Sequence, residues 1–426
     1  MQPSTRRPSD SIWLVLLVFI SARLMMLMIW PAENLSLYGD YNYYFRLAAL
    51  SKTGSLPFIH YWSEHAPLFP FVNLLVYRLS GDVFKNYVLL LSTALLAFEA
   101  GSLYLLYRLA ADIYAKDRAL QICWIYSALY VPVFIWLGAF EAITAFFMLA
   151  ALRALQRGRV GWAGVCIGLG TMTKLLPLAL VLVAWRAGGR RATLTTGLMA
   201  VLVCLAFLGP LYALSPDFAL ASLQAQMSKS SWQTIWALID GNVSNTGNFG
   251  PMAERFTATT ATVPLHNPSR LSPWLTLIPF AALGLFALTR PKRRDGRDIP
   301  VLAALLMTLF FLWSKGWSPQ WQMFYIPLLL LSLSPGRAAM FIVVLGFVNI
   351  LEWPVILSRG LTQLLPLTIV ARTLVLALLG WELYQQLTAG SAGSGLPLKA
   401  GQGNPSAEQP GGGLQIRRER GSGSEG

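Results

Sequence analysis

The segment GWAGVCIGLGTMTKLLPLALVLVAW, residues 161–185, decides how the rest of this chain must be arranged. It is apolar and long enough to cross a bilayer once, since about 20 apolar residues span the hydrocarbon core. Lys174 and Pro177 nevertheless interrupt it near its middle. A charge and a helix breaker at that depth indicate either one interrupted span or a hairpin that enters and leaves on the same side.

The composition is that of a membrane protein with many spans. Of its 426 residues, 55% are hydrophobic and only 12% are charged, about half the charged fraction of a soluble domain. The three cysteines lie within apolar runs, so we expect no disulfide framework. Beyond 161–185, the apolar runs that predict spans are 12–30, 86–109, 119–137, 139–155, 193–212, 273–290, 299–314, 321–334, 338–357 and 363–386. The fold class predicted is therefore an all-α polytopic membrane protein.

Basic residues cluster in short connections between these runs, which explains the net charge of +14 without a nucleic-acid partner. The clusters are 153–159, 186–191, 290–297, the tail 417–420 and an Arg pair near the N-terminus. Because Lys and Arg are enriched in cytoplasmic loops, all of them should lie inside. A single crossing by 161–185 would put two of them outside, whereas a hairpin keeps every cluster inside. We therefore predict a broken hairpin, with Lys174–Pro177 at a turn that faces protein or a water-filled cavity, and about 11–12 transmembrane segments in all.

This orientation leaves two long segments on the outer side, 31–85 and 213–272. Both are rich in Trp, Tyr, Pro and Asn, and together they hold all three histidines. We predict one transmembrane domain over 1–387, with short interfacial helices in its first outer loop. The Gly-, Ser- and Pro-rich residues 388–426 should form a disordered cytoplasmic tail. The polar chemistry is expected on the extracytoplasmic side.

The first outer segment contains LYGDYNYYFRLA, residues 37–48, in which Asp40 precedes a short amphipathic helix rich in tyrosine. Asp is a favoured N-cap residue, so Asp40 either caps this helix or carries out chemistry, and the two roles are compatible. The tyrosines suit the level of the lipid headgroups. Glu64 and His65 follow, either as a second acid/base pair or as solvated loop residues.

Several charged residues fall inside the predicted spans. They are Arg23, Glu99, Glu141, Lys174, Glu352 and Arg372. A charge at the bilayer centre costs about 2.5–3.5 kcal/mol on insertion scales, so such side chains usually face the bundle interior or a cavity. We expect some of them to be ion pairs or snorkelling ends, and Lys174 to face a cavity.

Four stretches, in this order, resemble the motifs of one enzyme superfamily. They are GDYNYYFRLAALSKTGSLPF (39–58), HAPLFPFVNLLVY (65–77), GLGTMTKLLPLALVL (168–182) and WSKGWSPQWQMFYIPLLLL (313–331). The set resembles the GT-C polyprenyl-phosphate-sugar glycosyltransferases, and within them the bacterial alpha-mannosyltransferase-like group, glycosyltransferase family 87. The resemblance runs from about residue 12 to 386 and implies the GT-C fold. Because that group is bacterial, it also implies the inner (plasma) membrane of a prokaryote as the location.

The resemblance also implies an activity. The enzyme would move a sugar, with mannose the expected one, from a polyprenyl-monophosphate donor to an acceptor hydroxyl at the outer leaflet, with inversion. Asp40 matches the acidic residue of the first-loop motif and would be the general base. A cation at the departing phosphate would lower the barrier, and Lys315, Arg359 and Lys174 are the candidates. The remaining candidate substrate-binding residues are Tyr43, Tyr44, Glu64, His65, Trp317, Gln320 and His266.

Partners follow from the same resemblance: the lipid-linked donor, a glycolipid, cell-envelope glycan or protein acceptor, and the bilayer around a monomer. The outer segments have no Asp-x-Asp or Glu-x-Asp motif, so we predict no metal and no cofactor. A different class of function remains open, a transporter or flippase of a lipid-linked glycan intermediate. The charges scattered through the spans are the feature that supports it.

Overall fold

The computed structural model describes residues 11–37, 39–129, 138–247, 249–290 and 296–388. In these ranges the chain is helical and contains no strand. The α-helices are α1 Ile12–Ile29, α2 Ala32–Leu35, α3 Tyr41–Ala49, α4 Leu68–Leu79, α5 Phe84–Ile113, α6 Lys116–Ala128, α7 Glu141–Gln156, α8 Val160–Thr171, α9 Leu180–Leu214, α10 Pro216–Ser228, α11 Ile235–Asp240, α12 Pro273–Leu288, α13 Asp298–Trp313, α14 Gln322–Ser332, α15 Pro335–Ile350 and α16 Leu365–Thr388. A π-helix covers Leu351–Leu357, and 3₁₀ turns cover Leu176–Ala179, Met252–Phe256, Ala258–Thr262, Pro319–Trp321 and Thr362–Leu364. The predicted tail from residue 389, and residues 130–137 of one predicted span, lie outside the described residues.

Five helical stretches among the described residues are long and apolar enough to cross a membrane. They are Ile12–Ile29, Phe84–Ile113, Leu176–Leu214, Pro335–Leu357 and Thr362–Thr388, and shorter apolar helices include α8, α12 and α13. Large apolar side chains such as Met28, Leu198 and Leu367 are exposed on their outer faces, as expected where lipid replaces water. The prediction of an all-α, multi-pass membrane protein is confirmed.

The segment 161–185 forms a hairpin. Helix α8 has 12 residues, which is about 18 Å at 1.5 Å per residue and too short for a core of about 30 Å. After the turn that contains Lys174, a 3₁₀ turn and the start of α9 run only as far as Gly188–Gly189, where the backbone leaves helical geometry. Gly189 has φ 63°, a left-handed conformation that glycine adopts without strain. The remainder of α9, after Gly189, forms a separate long helical segment.

Glycines let α8 pack closely against that second part of α9. A Cβ atom on Gly164 would lie 2.4 Å from the carbonyl oxygen of Thr196, and one on Gly168 would lie 2.6 Å from Cβ of Val203. The contacts advance in the same direction along both segments, so the two run parallel. The stretch that joins them therefore runs antiparallel to both, as a hairpin requires. Small residues at such crossings are typical of helix packing in membranes.

The basic connections meet at one end of the bundle. Arg186 donates a hydrogen bond to the carbonyl oxygen of Arg290 at 2.7 Å. Gln156 donates one to the carbonyl oxygen of Gly296 at 3.0 Å. Three of the predicted cytoplasmic loops are thus neighbours, which is the arrangement that the hairpin prediction required.

The charges inside the predicted spans form ion pairs. They are Arg23–Glu99 at 3.0 Å, Lys174–Glu141 at 2.7 Å and Arg372–Glu352. Pairing is what makes a buried charge tolerable, because an isolated one loses its hydration without compensation. The first and third pairs join helices in the bundle interior, as structural pairs do. Lys174–Glu141 differs, because both of its side chains line a cavity.

Candidate active site

A cavity of about 860 Å³ lies at the end of the bundle opposite the basic loops. Helix α7 begins at Glu141 in the cavity wall and ends at Gln156 beside those loops, while α13 begins at Asp298 beside them and ends at Trp313 in the wall. The volume is within the range of ligand pockets, about 300–1,000 Å³. The position of the cavity brings both predicted outer segments and the hairpin turn to one site.

The cavity lining combines charged and aromatic side chains. Its charged and amide groups include Asp40, Glu64, Glu141, Lys174, Lys229, Lys315 and Gln320. Its aromatic groups include Tyr43, Tyr44, Trp232, Trp274, Phe310, Trp313, Trp321 and Trp353. Such a site suits a ligand with an anionic part, a hydroxyl-rich part and an apolar part.

Asp40 lies at the start of α3, but its side chain does not cap the helix. Instead Oδ2 accepts a hydrogen bond from the Tyr44 hydroxyl at 3.2 Å and another from the Gln320 amide at 3.2 Å. The possibility that this carboxylate is held in place by capping α3 is therefore wrong. It is held by one residue a turn further along α3 and by a second one from the other half of the chain.

The environment of Asp40 makes it a stronger base than an ordinary aspartate. Burial raises the pKa of its carboxyl group, and the negative charge of Glu141 raises it further. The hydrogen bond from Tyr44 and the charges of Lys229 and Lys174 act in the opposite direction on this pKa. No cation forms an ion pair with Asp40 within the ranges that the structure describes.

Glu64 is buried rather than solvated, so the loop interpretation of this residue is wrong. Its carboxylate contacts the guanidinium of Arg255 and the hydroxyl of Tyr43, and Arg255 stacks over the Trp62 ring at 4.0 Å. Burial alone would raise the pKa of Glu64, but Arg255 and nearby cations outweigh burial and lower the pKa to about 2. This carboxylate stays ionised and is occupied by its partners.

His65 is held by aromatic rings. Phe69, Phe140 and Tyr44 surround its imidazole at centroid distances of 5.4, 5.1 and 5.7 Å, all edge to face. The pKa of His65 is lowered to about 4, chiefly by burial. The charge of Glu64 acts to raise this pKa, whereas nearby lysines and Arg255 act to lower it. The imidazole is therefore neutral at pH 7. Its Nε2 lies 3.9 Å from Glu64, too far for the hydrogen bond of an acid/base pair.

Three lysines line the cavity and differ in their partners. Lys174 pairs with Glu141 and lies 4.4 Å from the Trp321 ring centroid. Lys315 donates to the backbone carbonyl of Lys229 at 2.9 Å. For the Lys229 ammonium group the structure shows aromatic faces, with the Phe249 ring at 4.9 Å, and no acceptor among the described residues. Two cations, Lys229 and Lys315, thus have no carboxylate partner in the described chain.

The motif segment 313–331 is pinned to the second outer segment. The backbone N–H of Trp232 donates to the carbonyl oxygen of Lys315 at 2.9 Å, and Trp317 N–H donates to the carbonyl oxygen of Trp232 at 3.2 Å. A Cβ atom on Gly316 would lie 2.1 Å from the Trp232 ring, so only glycine fits there. This crossing brings Lys229 and Lys315 together.

Eight of the predicted site residues line the cavity. They are Asp40, Tyr43, Tyr44, Glu64, His65, Lys174, Lys315 and Gln320. Trp317 is buried behind the wall and donates to Asn349 at 2.9 Å. His266 and Arg359 have exposed side chains and lie outside the cavity lining, because His266 projects from an irregular loop and Arg359 from the turn after the π-helix.

Lys229, Arg255 and Glu141 were missed as site residues. The positive-inside rule could have found two of them, because cations are depleted from outer loops and those that remain there need an explanation. Lys229 and Arg255 both lie in 213–272. Glu141 was identified only as a charge inside a span, and its partner Lys174 could not be known from the sequence.

The described residues offer no obvious set of donors for a metal ion. Within the described ranges, no three His, Cys, Asp or Glu side chains are grouped so that they could hold a metal ion. Two of the cavity carboxylates, those of Glu64 and Glu141, are engaged by Arg255 and Lys174. Asp40 is left as the carboxylate that contacts only neutral donors.

The chain was compared with known families and structures. A family model described as glycosyltransferase family 87 matches residues 69–314, more than half of the chain. A search of curated proteins found no match.

Solved structures with similar coordinates include ArnT from Cupriavidus metallidurans bound to undecaprenyl phosphate, at 14% identity and a TM-score of 0.45, with 88% of this chain and 78% of that one covered. The apo oligosaccharyltransferase from Archaeoglobus fulgidus is 14% identical with a TM-score of 0.43, covering 90% of this chain and 56% of that one. The chain thus spans little more than half the length of that oligosaccharyltransferase. Substrates and partners named for these two proteins are properties of those proteins alone.

Proposed function

Since the chain belongs to glycosyltransferase family 87, we propose that it transfers a sugar from a polyprenyl-monophosphate donor to an acceptor hydroxyl, with Asp40 as general base. The observation that carries this proposal is the cavity, in which Asp40 has no cationic partner among the described residues and two lysines have no carboxylate partner. A free base and free cations are what this reaction requires. Mannose is the sugar that the sequence resemblance favours.

The reaction needs little from the protein beyond these groups. The acceptor hydroxyl transfers its proton to Asp40 as its oxygen bonds to the anomeric carbon of the sugar. The bond from that carbon to the phosphate oxygen breaks, and the electron pair remains on the phosphate. A positioned carboxylate gives about 10²–10⁴-fold in such a step. Attack opposite the leaving phosphate inverts the anomeric centre.

The free lysines suit the leaving group. A sugar linked to a lipid through one phosphate carries one negative charge, and the lipid phosphate that departs gains a second, with a pKa of about 6 for the last proton of a phosphate monoester. Cations aimed at charge that develops during the reaction lower its barrier more than they strengthen ground-state binding. The Lys315 ammonium group donates to the backbone carbonyl of Lys229 at 2.9 Å, and both lysines line the cavity, so we propose that both act on one phosphate.

The aromatic part of the lining supports a lipid substrate. Trp274 at the start of α12 lines the cavity and is also 64% exposed on the outer surface. The Trp313 indole donates to the carbonyl oxygen of the adjacent Pro273 at 2.9 Å, and Phe310 and Trp353 also line the cavity. The cavity is therefore bounded by apolar groups where it reaches the lipid-facing side of α12, and a polyprenyl chain would leave there. We further propose that 1–387 act as one domain and that the site faces the outer leaflet.

Transfer itself is the test. The full chain in lipid nanodiscs, given polyprenyl-phosphate-mannose and a membrane lipid extract as acceptor source, should form a mannosylated product detected by mass spectrometry. Asp40→Asn should lower the yield of this product by about 10²–10⁴-fold. Asp82→Asn is the matched control, because Asp82 is an exposed aspartate of the same outer segment that pairs with Lys52. Wild-type transfer by Asp40→Asn at equal expression would rule out Asp40 as the base.

The same assay, run without a membrane gradient, separates the enzyme from a transporter. A protein that only moves a lipid-linked glycan forms no glycosidic product. The charges that supported a transporter are in fact paired: Arg23 with Glu99, and Lys174 with Glu141. Arg23 and Glu99 are not among the residues that line the cavity with Lys174 and Glu141. Labelling of single cysteines tests the face: Glu33→Cys should react from outside and Arg191→Cys should not. The reverse pattern would overturn the proposed orientation.

A further inference from the structure

Two neutral donors meet on one oxygen of Asp40. The Tyr44 hydroxyl and the Gln320 amide both donate to Oδ2, each at 3.2 Å. In the part of the chain that the structure describes, no donor reaches Oδ1, although Asp40 lines the cavity. The two oxygens of this carboxylate are thus different: one is held by the protein and the other is left for a substrate.

We propose that Oδ1 is the oxygen that takes the proton of the acceptor, and that Tyr44 and Gln320 are positioning residues that hold Oδ2. This inference rests on the proposed function, because it assigns one step of that reaction to one atom. The acceptor O–H bond breaks and its proton bonds to Oδ1. The acceptor oxygen bonds to the anomeric carbon, and the bond to the phosphate breaks with its electron pair left on the phosphate.

Protonation at Oδ1 leaves every protein hydrogen bond in place. In the ionised carboxylate Oδ2 accepts from both donors, and in the acid it becomes the carbonyl oxygen, which still accepts from both. Protonation at Oδ2 would instead add a third hydrogen to an oxygen that is already bonded twice. An arrangement that is the same before and after proton transfer requires no reorganisation during the reaction.

Both donors are rigidly held. The Tyr44 ring is 2% exposed and packs 4.8 Å from the Phe69 ring, and its backbone N–H donates to the Asp40 carbonyl oxygen at 2.9 Å. Gln320 follows Pro319 in a 3₁₀ turn that the sequence fixes through the proline ring. The sequence predicts Tyr44 and Gln320 to be substrate-binding residues, but their side-chain donors are directed at Asp40.

An infrared measurement shows which oxygen of Asp40 carries the proton, and it needs no substrate. Infrared spectra of wild type and Asp40→Asn are recorded in acid, with the full chain in nanodiscs. The difference between the two spectra gives the carbonyl band of protonated Asp40. A carbonyl that accepts hydrogen bonds absorbs at lower frequency, so Tyr44→Phe and Gln320→Met should each move the band to higher frequency. Were Oδ2 protonated instead, the carbonyl would be the unbonded Oδ1, and neither variant would move the band. That result would overturn the inference and leave the proposed function standing.

Kinetics supply the second readout. With polyprenyl-phosphate-mannose, Tyr44→Phe and Gln320→Met should each lower kcat about tenfold, because the base is less well positioned, while KM for the donor stays the same. Loss of a hydrogen bond to the ionised form raises the pKa of Asp40, so the acidic limb of the kcat profile should move to higher pH. Gln320→Glu should move it further, since a like charge then faces Asp40.

Matched controls exclude a general packing effect. Tyr77→Phe removes a hydroxyl that donates to Asp82, outside the cavity, and Gln121→Met removes an exposed amide. Both should keep the wild-type pH profile. A raised kcat in Tyr44→Phe or Gln320→Met would mean that the donors compete with the acceptor for the reacting oxygen. An unchanged kcat would mean that they do not position the base, and either result would overturn the inference. Loss of transfer by Asp40→Asn together with such a result would refute only this inference.

Discussion

Two carboxylates line the same cavity, at Asp40 and Glu64, and they are held in opposite ways. Glu64 contacts a guanidinium, Arg255, which is fully buried. Asp40 contacts a phenol and an amide, Tyr44 and Gln320. The pKa of Glu64 falls to about 2, whereas burial and Glu141 raise the pKa of Asp40.

The difference lies in the partner rather than in burial. Both carboxylates are removed from bulk water, which by itself raises a carboxyl pKa. A cation in contact reverses the shift and makes the carboxylate a poor base, while neutral donors orient it and leave its basicity largely intact. A general base works best when its pKa approaches the operating pH, so only Asp40 is suited to that task. Glu64 joins the two outer segments as a structural ion pair.

The largest expected effect is the contrast in activity. Asp40→Asn should lower kcat by about 10²–10⁴-fold, the usual contribution of a general base. Glu64→Gln keeps the shape of its side chain and should lower kcat by less than about tenfold. Transfer from polyprenyl-phosphate-mannose measures both. Equal losses in the two variants would mean that the two carboxylates act as a pair and that Glu64 is not merely structural.

The Glu64–Arg255 pair, which should matter little for activity, should matter strongly for stability. Arg255→Met leaves the buried Glu64 charge with the Tyr43 hydroxyl but without its cationic partner, and it should destabilise the protein by about 3–5 kcal/mol. Adding Glu64→Gln to that variant removes the stranded charge and should restore most of the loss. The midpoint of unfolding in detergent reports both, with the exposed Arg78→Met as control. A double variant no more stable than Arg255→Met would show that the pair is not the source of the loss.

The sequence predicted the frame of this site well. Counting basic loops predicted the hairpin and its turn at Lys174, because the positive-inside rule acts on every loop at once and so constrains the whole topology. The same reasoning placed Asp40 and Lys315 at one end of the bundle.

The sequence could not predict which side chains of the site contact each other. The contact of Gln320 with Asp40 joins residues 280 positions apart, and that of Arg255 with Glu64 joins residues 191 apart. Lys229 lies in a segment with irregular backbone, where no helical period indicates which side chains converge. Trp317 lies outside the cavity lining for the same reason, because it belongs to the irregular connection between α13 and the 3₁₀ turn, where no periodic pattern indicates which way a side chain points.

Acid should expose the neutral histidine beside Glu64. The pKa of His65 is about 4 in the folded chain against 6.5 ordinarily, so below pH 6.5 the unfolded chain binds a proton that the folded one does not. Stability should therefore fall as the pH drops from 6.5 towards 4, by about 3 kcal/mol at most. Between pH 4.5 and 2 the depressed pKa of Glu64 adds a further loss. His65→Phe should remove the first phase only; unchanged acid sensitivity in that variant would contradict the neutral imidazole.

The smallest expected effect concerns the other side of Asp40, where Glu141 pairs with Lys174 at 2.7 Å. The charge of Glu141 raises the pKa of Asp40, so Glu141→Gln should lower that pKa. Because Asp40 must be ionised to accept a proton, activity is lost as the pH falls through its pKa. The acidic limb of kcat should therefore move to lower pH in Glu141→Gln, by up to about one unit, opposite to the shift expected for Tyr44→Phe. A limb that moved upward in Glu141→Gln would mean that Lys174, freed from its partner, does not stay beside Asp40, and that the pair positions the cation rather than tuning the base.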